Sequence, residues 1–132
     1  MKPTFCFLLF LFLGVCSFGQ TGQSSCETFK TGKFAYRDSA NHLVNVTRKG
    51  GQQQEYDTKT GITTKFKIKW TAGCEYELIQ TWSTSKIKRK QNRSVTRVVI
   101  TKANGNDSYE YECGCKDREI NGHSGTMVRL SE

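Results

Sequence analysis

Ile62-Thr63-Thr64-Lys65-Phe66-Lys67-Ile68-Lys69-Trp70 alternates without a break, with Ile62, Thr64, Phe66, Ile68 and Trp70 on one side and Thr63, Lys65, Lys67 and Lys69 on the other. A period of two with one apolar and one cationic side is the pattern of a half-buried β-strand. Thr71-Ala72-Gly73 follows and reads as a three-residue hairpin loop, with glycine where a left-handed residue is needed. Folding the chain there sets Trp70 opposite Cys74, Ile68 opposite Tyr76 and Phe66 opposite Leu78. On the other side Lys69 meets Glu75 and Lys67 meets Glu77. Both sides agree on one register, and a one-residue slip would invert both.

The same test extends outward. Asn104-Gly105 is a type I′ turn signal. Around it Ile100 faces Tyr109, Val98 faces Tyr111 and Thr96 faces Cys113, while Lys102 meets Asp107 and Arg97 meets Glu112. That pairing turns Val98 and Ile100 inward. Gly50-Gly51 joins Val44-Asn45-Val46 to Gln54-Glu55-Tyr56, and Lys59-Thr60-Gly61 joins Tyr56 to Ile62. Lys33 to Arg37 makes a first strand, and Thr126 to Leu130 a last one whose inward side the pattern does not assign. No proline follows Pro3, and no long helical periodicity appears. The sequence therefore predicts an all-β domain, an antiparallel up-and-down meander of about eight strands. Curling it into a closed or partly open barrel relieves the unpaired edges.

The chain opens with a leader. Lys2 is followed by the apolar run Phe5-Cys6-Phe7-Leu8-Leu9-Phe10-Leu11-Phe12-Leu13, and Ser17-Phe18-Gly19 places small residues before Gln20. The run is too short to span a bilayer, so residues 1–19 read as a secretory signal peptide and 20–132 as a single exported domain. A second reading takes Leu13-Gly14-Val15-Cys16 as a lipobox that anchors the protein through an acylated Cys16; Val15 is larger than such boxes usually carry before the cysteine. Without the leader, the twenty basic residues lose only Lys2, leaving 19 against 12 acidic residues, net +7. A basic exported chain favours anionic partners, although the same charge also keeps a small protein soluble.

Lys86-Ile87-Lys88-Arg89-Lys90-Gln91-Asn92-Arg93 gathers five cations in a connection between strands. Lys86, Lys88, Arg89, Lys90 and Arg93 are candidate anion-binding residues for a lipid headgroup, polysaccharide or nucleic acid. No aromatic is interleaved, so specific nucleic-acid readout is not expected. The plain alternative is a solvated loop that discourages edge aggregation.

Phe34, Tyr36, Tyr56, Phe66, Trp70, Tyr76, Trp82, Tyr109 and Tyr111 are assigned to the inner side, together with Gln54, Thr64 and Gln80. A barrel of this size fills its interior or holds one small ligand. Aromatics with polar tips suit a pocket and equally suit a packed core. Tyr36, Tyr56, Phe66, Trp70, Tyr76, Gln80, Trp82 and Tyr111 are the candidate lining of a site for a small apolar or amphipathic ligand.

No nucleophile elbow or metalloprotease motif is present, and His42 and His123 sit in loop-like contexts, so no catalytic residue, cofactor or metal is assigned. Zinc through the cysteines, with His42 and His123 in reserve, lacks the usual ligand spacing, since there is one Cys-x-Cys and no second pair. Cys113-Gly114-Cys115 reads as two buried thiols, a strained redox pair, or partners for cysteines elsewhere. With Cys26 and Cys74, the four mature cysteines admit three pairings. Asn45-Val46-Thr47, Asn92-Arg93-Ser94 and Asn106-Asp107-Ser108 match the glycosylation acceptor pattern.

Cys26-Glu27-Thr28-Phe29-Lys30-Thr31-Gly32-Lys33-Phe34, Gln54-Glu55-Tyr56, Ile68-Lys69-Trp70 and Cys74-Glu75-Tyr76-Glu77-Leu78 resemble a family of small exported bacterial proteins of unknown function. Its members sometimes bear a DNA topoisomerase IV label, which this chain has no room to support. The Phe-x-x-Gly-x-Phe opening and the meander are also similar to calycins, the lipocalin and fatty-acid-binding barrels; that likeness concerns fold, not function. Cys26 and Cys74 both fall in the resembling motifs and at strand ends, and they are the expected disulfide. The expectation is thus an exported, non-enzymatic barrel that binds a small apolar or amphipathic ligand or serves the envelope, with a basic module for an anionic surface as the alternative.

Overall fold

In a computed structural model, described over residues 25–115 and 123–132, eight antiparallel strands close into a barrel in sequence order. They are β1 (Gly32–Arg37), β2 (Leu43–Lys49), β3 (Gln52–Asp57), β4 (Thr63–Ala72), β5 (Glu75–Ser83), β6 (Val95–Asn104), β7 (Ser108–Cys115) and β8 (His123–Arg129). Closure runs through β1 and β8, with Phe34 opposite Arg129 and Ala35 opposite Val128. A 3₁₀ turn, Cys26–Phe29, precedes β1, and a single helical turn, α1 (Lys86–Arg89), lies between β5 and β6. The leader, with Cys6, Cys16 and the cleavage motif, lies outside the described residues.

The alternation in β4 puts Thr64 and Ile68 inside and Lys65, Lys67 and Lys69 in solvent. Its hairpin is tighter than expected, however. β4 continues to Ala72, the turn is Gly73-Cys74, and a bulge at Thr71 absorbs the extra residue. Trp70 therefore pairs with Tyr76, Ile68 with Leu78 and Lys69 with Glu77, while Lys67 faces Ile79. From Phe66 to Trp70 the slip is two residues, so the side chains there keep their side of the sheet.

β6 and β7 show the same correction. The turn is Gly105-Asn106-Asp107, and a bulge near Thr101 brings Ile100 opposite Tyr111, Val98 opposite Cys113 and Lys102 opposite Glu110. Val98 and Ile100 are buried as expected. Arg97 reaches Glu75 on β5 instead of Glu112, at 2.6 Å. A bulge adds one residue to one strand and re-aims the side chains beyond it.

Three inward assignments, Gln54, Tyr56 and Trp82, are overturned. Gly50 and Gly51, both left-handed with φ of 58° and 73°, make a two-residue turn that pairs Lys49 with Gln52. The next pairs on the same side are Arg48 with Gln53, Val46 with Glu55 and Val44 with Asp57. Val44, Val46 and Arg48 are inside, so their partners are too; Gln54 and Tyr56 point out. In β5, Phe66 pairs with Gln80 but Lys65 pairs with Trp82. The bulge at Thr81 turns Trp82 outward and leaves Ser83 buried. In β8, Met127 is the buried side chain.

The two ends of the barrel differ. One, the capped end, carries the 3₁₀ turn and the tight turns after β2, β4 and β6. The other, the loop end, carries the connections after β1, β3 and β5.

Candidate functional site

Arg48 occupies the capped half of the interior and is 2% exposed. Its Nε donates to Gln53 Oε1 at 2.8 Å and its Nη1 to the Phe29 carbonyl at 2.9 Å. Nη2 donates to the Tyr76 and Tyr109 hydroxyls, each at 2.8 Å, and those two oxygens lie 2.9 Å apart. The guanidinium also lies over the rings of Phe34, Tyr76 and Tyr109. A buried cation is tolerated where its donors are spent in this way. Phe29, fully buried, packs its ring edge on Tyr109. The Cys26–Cys74 disulfide ties the 3₁₀ turn to the β4–β5 turn, and Arg129 donates to the Thr28 carbonyl and stacks over Phe34. This half is a filled floor.

The network continues toward the loop end. Gln53 Nε2 donates to Glu55 Oε1 at 2.8 Å, and Tyr36 Oη donates to Glu55 Oε2 at 3.0 Å. Burial pushes the Glu55 carboxyl above its usual range, against these two hydrogen bonds and the positive charges of Lys88 and Arg48. Burial, reinforced by Glu55, also holds the Tyr36 phenol well above its usual value. Tyr111 stands edge-on to Tyr36, 6.3 Å between centroids. Around them face Phe66, Leu78, Val98 and Cys113. Tyr36, Glu55, Phe66 and Cys113 point inward yet are only half-buried, whereas Arg48, Gln53, Tyr76 and Tyr109 on the floor are sealed.

The candidate lining is thus divided. Tyr36, Phe66 and Tyr111 share the half nearer the loop end. Tyr76 belongs to the floor, and Trp70, stacked on Tyr76 at 4.8 Å, lies at the capped end. Gln80 points inward but is committed: its amide donates to the Lys88 carbonyl at 2.6 Å and to Asn92 Oδ1 at 3.0 Å. Tyr56 and Trp82 are on the outer surface, 43% and 42% exposed. Lys86, Lys88, Arg89, Lys90 and Arg93 are all exposed around α1, whose backbone is tethered to Gln80.

Arg48, Gln53 and Glu55 were missed by pattern. The signal was available: Val44-x-Val46-x-Arg48 is one alternating side, and a two-residue glycine turn carries that side onto Gln53, Glu55 and Asp57.

His42 is also more than a loop residue. Its Nδ1 donates to Asp57 Oδ2 at 2.9 Å and lies 3.8 Å from Asp38 Oδ2. Each carboxylate's other oxygen accepts two backbone amides, Ala40 and His42 for Asp38, Lys59 and Thr60 for Asp57. Among the described residues this is the cluster whose ligand atoms lie close enough, within 4.8 Å, to share a cation; the hydrogen bonds explain it equally as a clasp between two loops. Cys113 is a free thiol whose ionisation burial pushes up, which disfavours redox reactivity.

The fold and site define a closed eight-stranded antiparallel barrel with a filled polar floor. No helix among the described residues is long and apolar enough to cross a membrane. No known protein family, curated protein or solved structure matches the chain.

Proposed function

We propose that this is an exported binding protein, not an enzyme, and that the half of the barrel nearer the loop end takes a small amphipathic ligand. One observation carries this reading. Tyr36, Glu55, Phe66 and Cys113 face inward and still keep solvent contact, while the floor beneath them is sealed. Phe66, Leu78, Val98 and Tyr111 supply apolar wall, and Glu55 with Tyr36 supplies an acceptor at the base. That mixture, mostly apolar with a few convergent polar groups, is typical of small-ligand sites. A ligand with an apolar body and one N–H or O–H donor fits it. The disulfide supports an oxidising compartment and hence export.

N-phenyl-1-naphthylamine, an apolar probe with one N–H donor, tests the reading. The wild-type chain should enhance its fluorescence saturably at one site. Cys113→Phe should fill the space and reduce the affinity at least tenfold, with the melting temperature little changed. Absence of saturable binding, or binding unaffected by Cys113→Phe, would overturn the proposal. Native mass spectrometry of protein recovered from its export compartment would then identify the natural ligand.

A further inference from the structure

The outer surface of the loop end is unlike the rest of the barrel. Six large apolar side chains are exposed among the described residues: Leu43, Tyr56, Trp82, Ile87, Val128 and Leu130. The first four gather at the loop end. Register sets Leu43 diagonal to Tyr56, because Leu43 lies two residues before Asn45, which pairs with Tyr56; Tyr56 and Trp82 then flank β4, Tyr56 opposite Thr63 and Trp82 opposite Lys65. The band draws on β2, β3 and β5, with Thr63 and Lys65 of β4 between, and ends at Ile87 on α1. Ile87 is 77% exposed, the most of the six.

Cations flank the α1 and Trp82 end of this band. Lys86, Lys88, Arg89, Lys90 and Arg93 surround Ile87, and Lys65 Nζ lies 5.5 Å from the centroid of the Trp82 ring. Among the described residues, the acidic groups at the same end are engaged elsewhere. Asp38 and Asp57 are turned to His42 and to backbone amides, and Glu55 is inside. Scattered exposed apolar residues need no explanation, but a rimmed band does.

We propose that this band docks on an anionic lipid membrane, with Ile87, Leu43, Trp82 and Tyr56 entering the headgroup boundary and the cations meeting lipid phosphate. Trp and Tyr prefer that boundary because one part of each ring system is apolar and the other polar. Lysine and arginine stems lie along apolar surface while their charges reach out. A soluble polyanion would use the charges but leave Ile87, Leu43 and Trp82 without a role, which is why a bilayer fits better. The docking does not depend on a ligand inside the barrel.

Sedimentation with vesicles tests it, using phosphatidylcholine alone and phosphatidylcholine with about a third phosphatidylglycerol. The protein should bind the anionic vesicles, release in high salt, and ignore the neutral ones. Each cation near an anionic surface contributes roughly fivefold in affinity. Replacing Lys86, Lys88, Arg89, Lys90 and Arg93 with glutamine should therefore abolish measurable binding. Ile87→Ser, which removes no charge, should weaken it several-fold. In a Trp70→Phe background, emission from Trp82 should shift to the blue on binding and be quenched by brominated lipid. The substituted side chains of the loop are exposed, so the fold should stand, and circular dichroism checks this. Vesicle binding that survives the five substitutions would overturn the proposal. So would binding with no Trp82 shift and no Ile87 dependence, as would heparin or DNA binding in place of vesicle binding.

Discussion

Replacing Arg48 by methionine isolates what the buried cation contributes. Methionine keeps the aliphatic stem among the aromatic rings but donates nothing. Tyr76 and Tyr109 retain each other at 2.9 Å, so their hydroxyls stay paired. Gln53 Oε1 and the Phe29 carbonyl lose their donor, at 2.8 and 2.9 Å. Each buried acceptor left unpaired costs about 1–3 kcal/mol, so the pair amounts to about 2–6 kcal/mol. Relief from burying a charge opposes this, and whole buried ionic groups have been replaced by apolar ones without loss. Here the partners remain polar, so the net destabilisation should stay near 2–4 kcal/mol, a large part of the roughly 5–15 kcal/mol of a domain this size. Urea unfolding followed by circular dichroism measures it, with an unchanged slope required for a simple stability reading. Adding Gln53→Met removes one of the orphaned acceptors. The double variant should therefore be more stable than the two single losses combined predict, by about 0.5–3 kcal/mol. An Arg48→Met chain within about 0.5 kcal/mol of wild type would refute the reasoning, because it would mean that the floor repacks or that water satisfies it.

Other outcomes rest on the same contacts. Replacing Cys26 and Cys74 with serine opens a loop spanning 48 residues, which chain entropy values at about 4 kcal/mol; calorimetry should show a lower melting temperature, and non-reducing peptide mapping of wild type should link these two cysteines. In a double-mutant cycle, Lys69 and Glu77 should couple by about 0.2–1 kcal/mol, and Lys67 with Glu77 should couple less, since only the first pair is directly opposed. The His42 hydrogen bond, opposed by burial and helped by the amides of Thr60 and Lys59, holds Asp57 well below its usual range. The unfolded chain therefore takes up that proton first as pH falls below about 4, stability drops through the acid limb, and Asp57→Asn should flatten it. Glu55 has the opposite sign. Its raised value means the folded form keeps a proton that the unfolded chain has released, so this group's contribution is full in acid and is lost as pH rises; Glu55→Gln should become relatively more stable than wild type as pH rises above the usual carboxylate range.

Most of the barrel was legible because a period of two is robust to the errors made. In the middle of the β4–β5 hairpin and before the Thr101 bulge of β6–β7 the register lies two residues from the one alternation predicts, and the inward sets Phe66, Ile68, Tyr76, Leu78 and Val98, Ile100, Tyr109, Tyr111 are the same in both. The bulges are not legible in the pattern, because one extra residue at Thr71, Thr81 or Thr101 does not interrupt the β-forming composition around it. Where a bulge fell inside a strand rather than near its turn, it cost a side: Trp82 moved out because Thr81 was inserted before it.

The site was less legible because the interior breaks the rule used to find it. Hydrophobicity ranks Tyr56 above Glu55 and Trp82 above Ser83, yet β3 buries its polar side. Pairing decides that outcome. Once Val44 and Val46 face in, the two-residue Gly50-Gly51 turn carries Arg48, Gln53, Glu55 and Asp57 in with them, and each must then find a partner. Arg48 finds carbonyl, amide and phenol oxygens, Glu55 finds Gln53 and Tyr36, and Asp57 finds His42. The chain thus spends its inward polar residues on partners from the floor, Arg48 with Gln53, to the loop end, Asp57 with His42, and the displaced aromatics Tyr56 and Trp82 are left on the outside at the loop end, with Trp82 beside Lys65. Inward polarity and outward apolarity on β3 are two results of one register, so a variant that resets the Gly50-Gly51 turn should disturb the interior network and the outer band together.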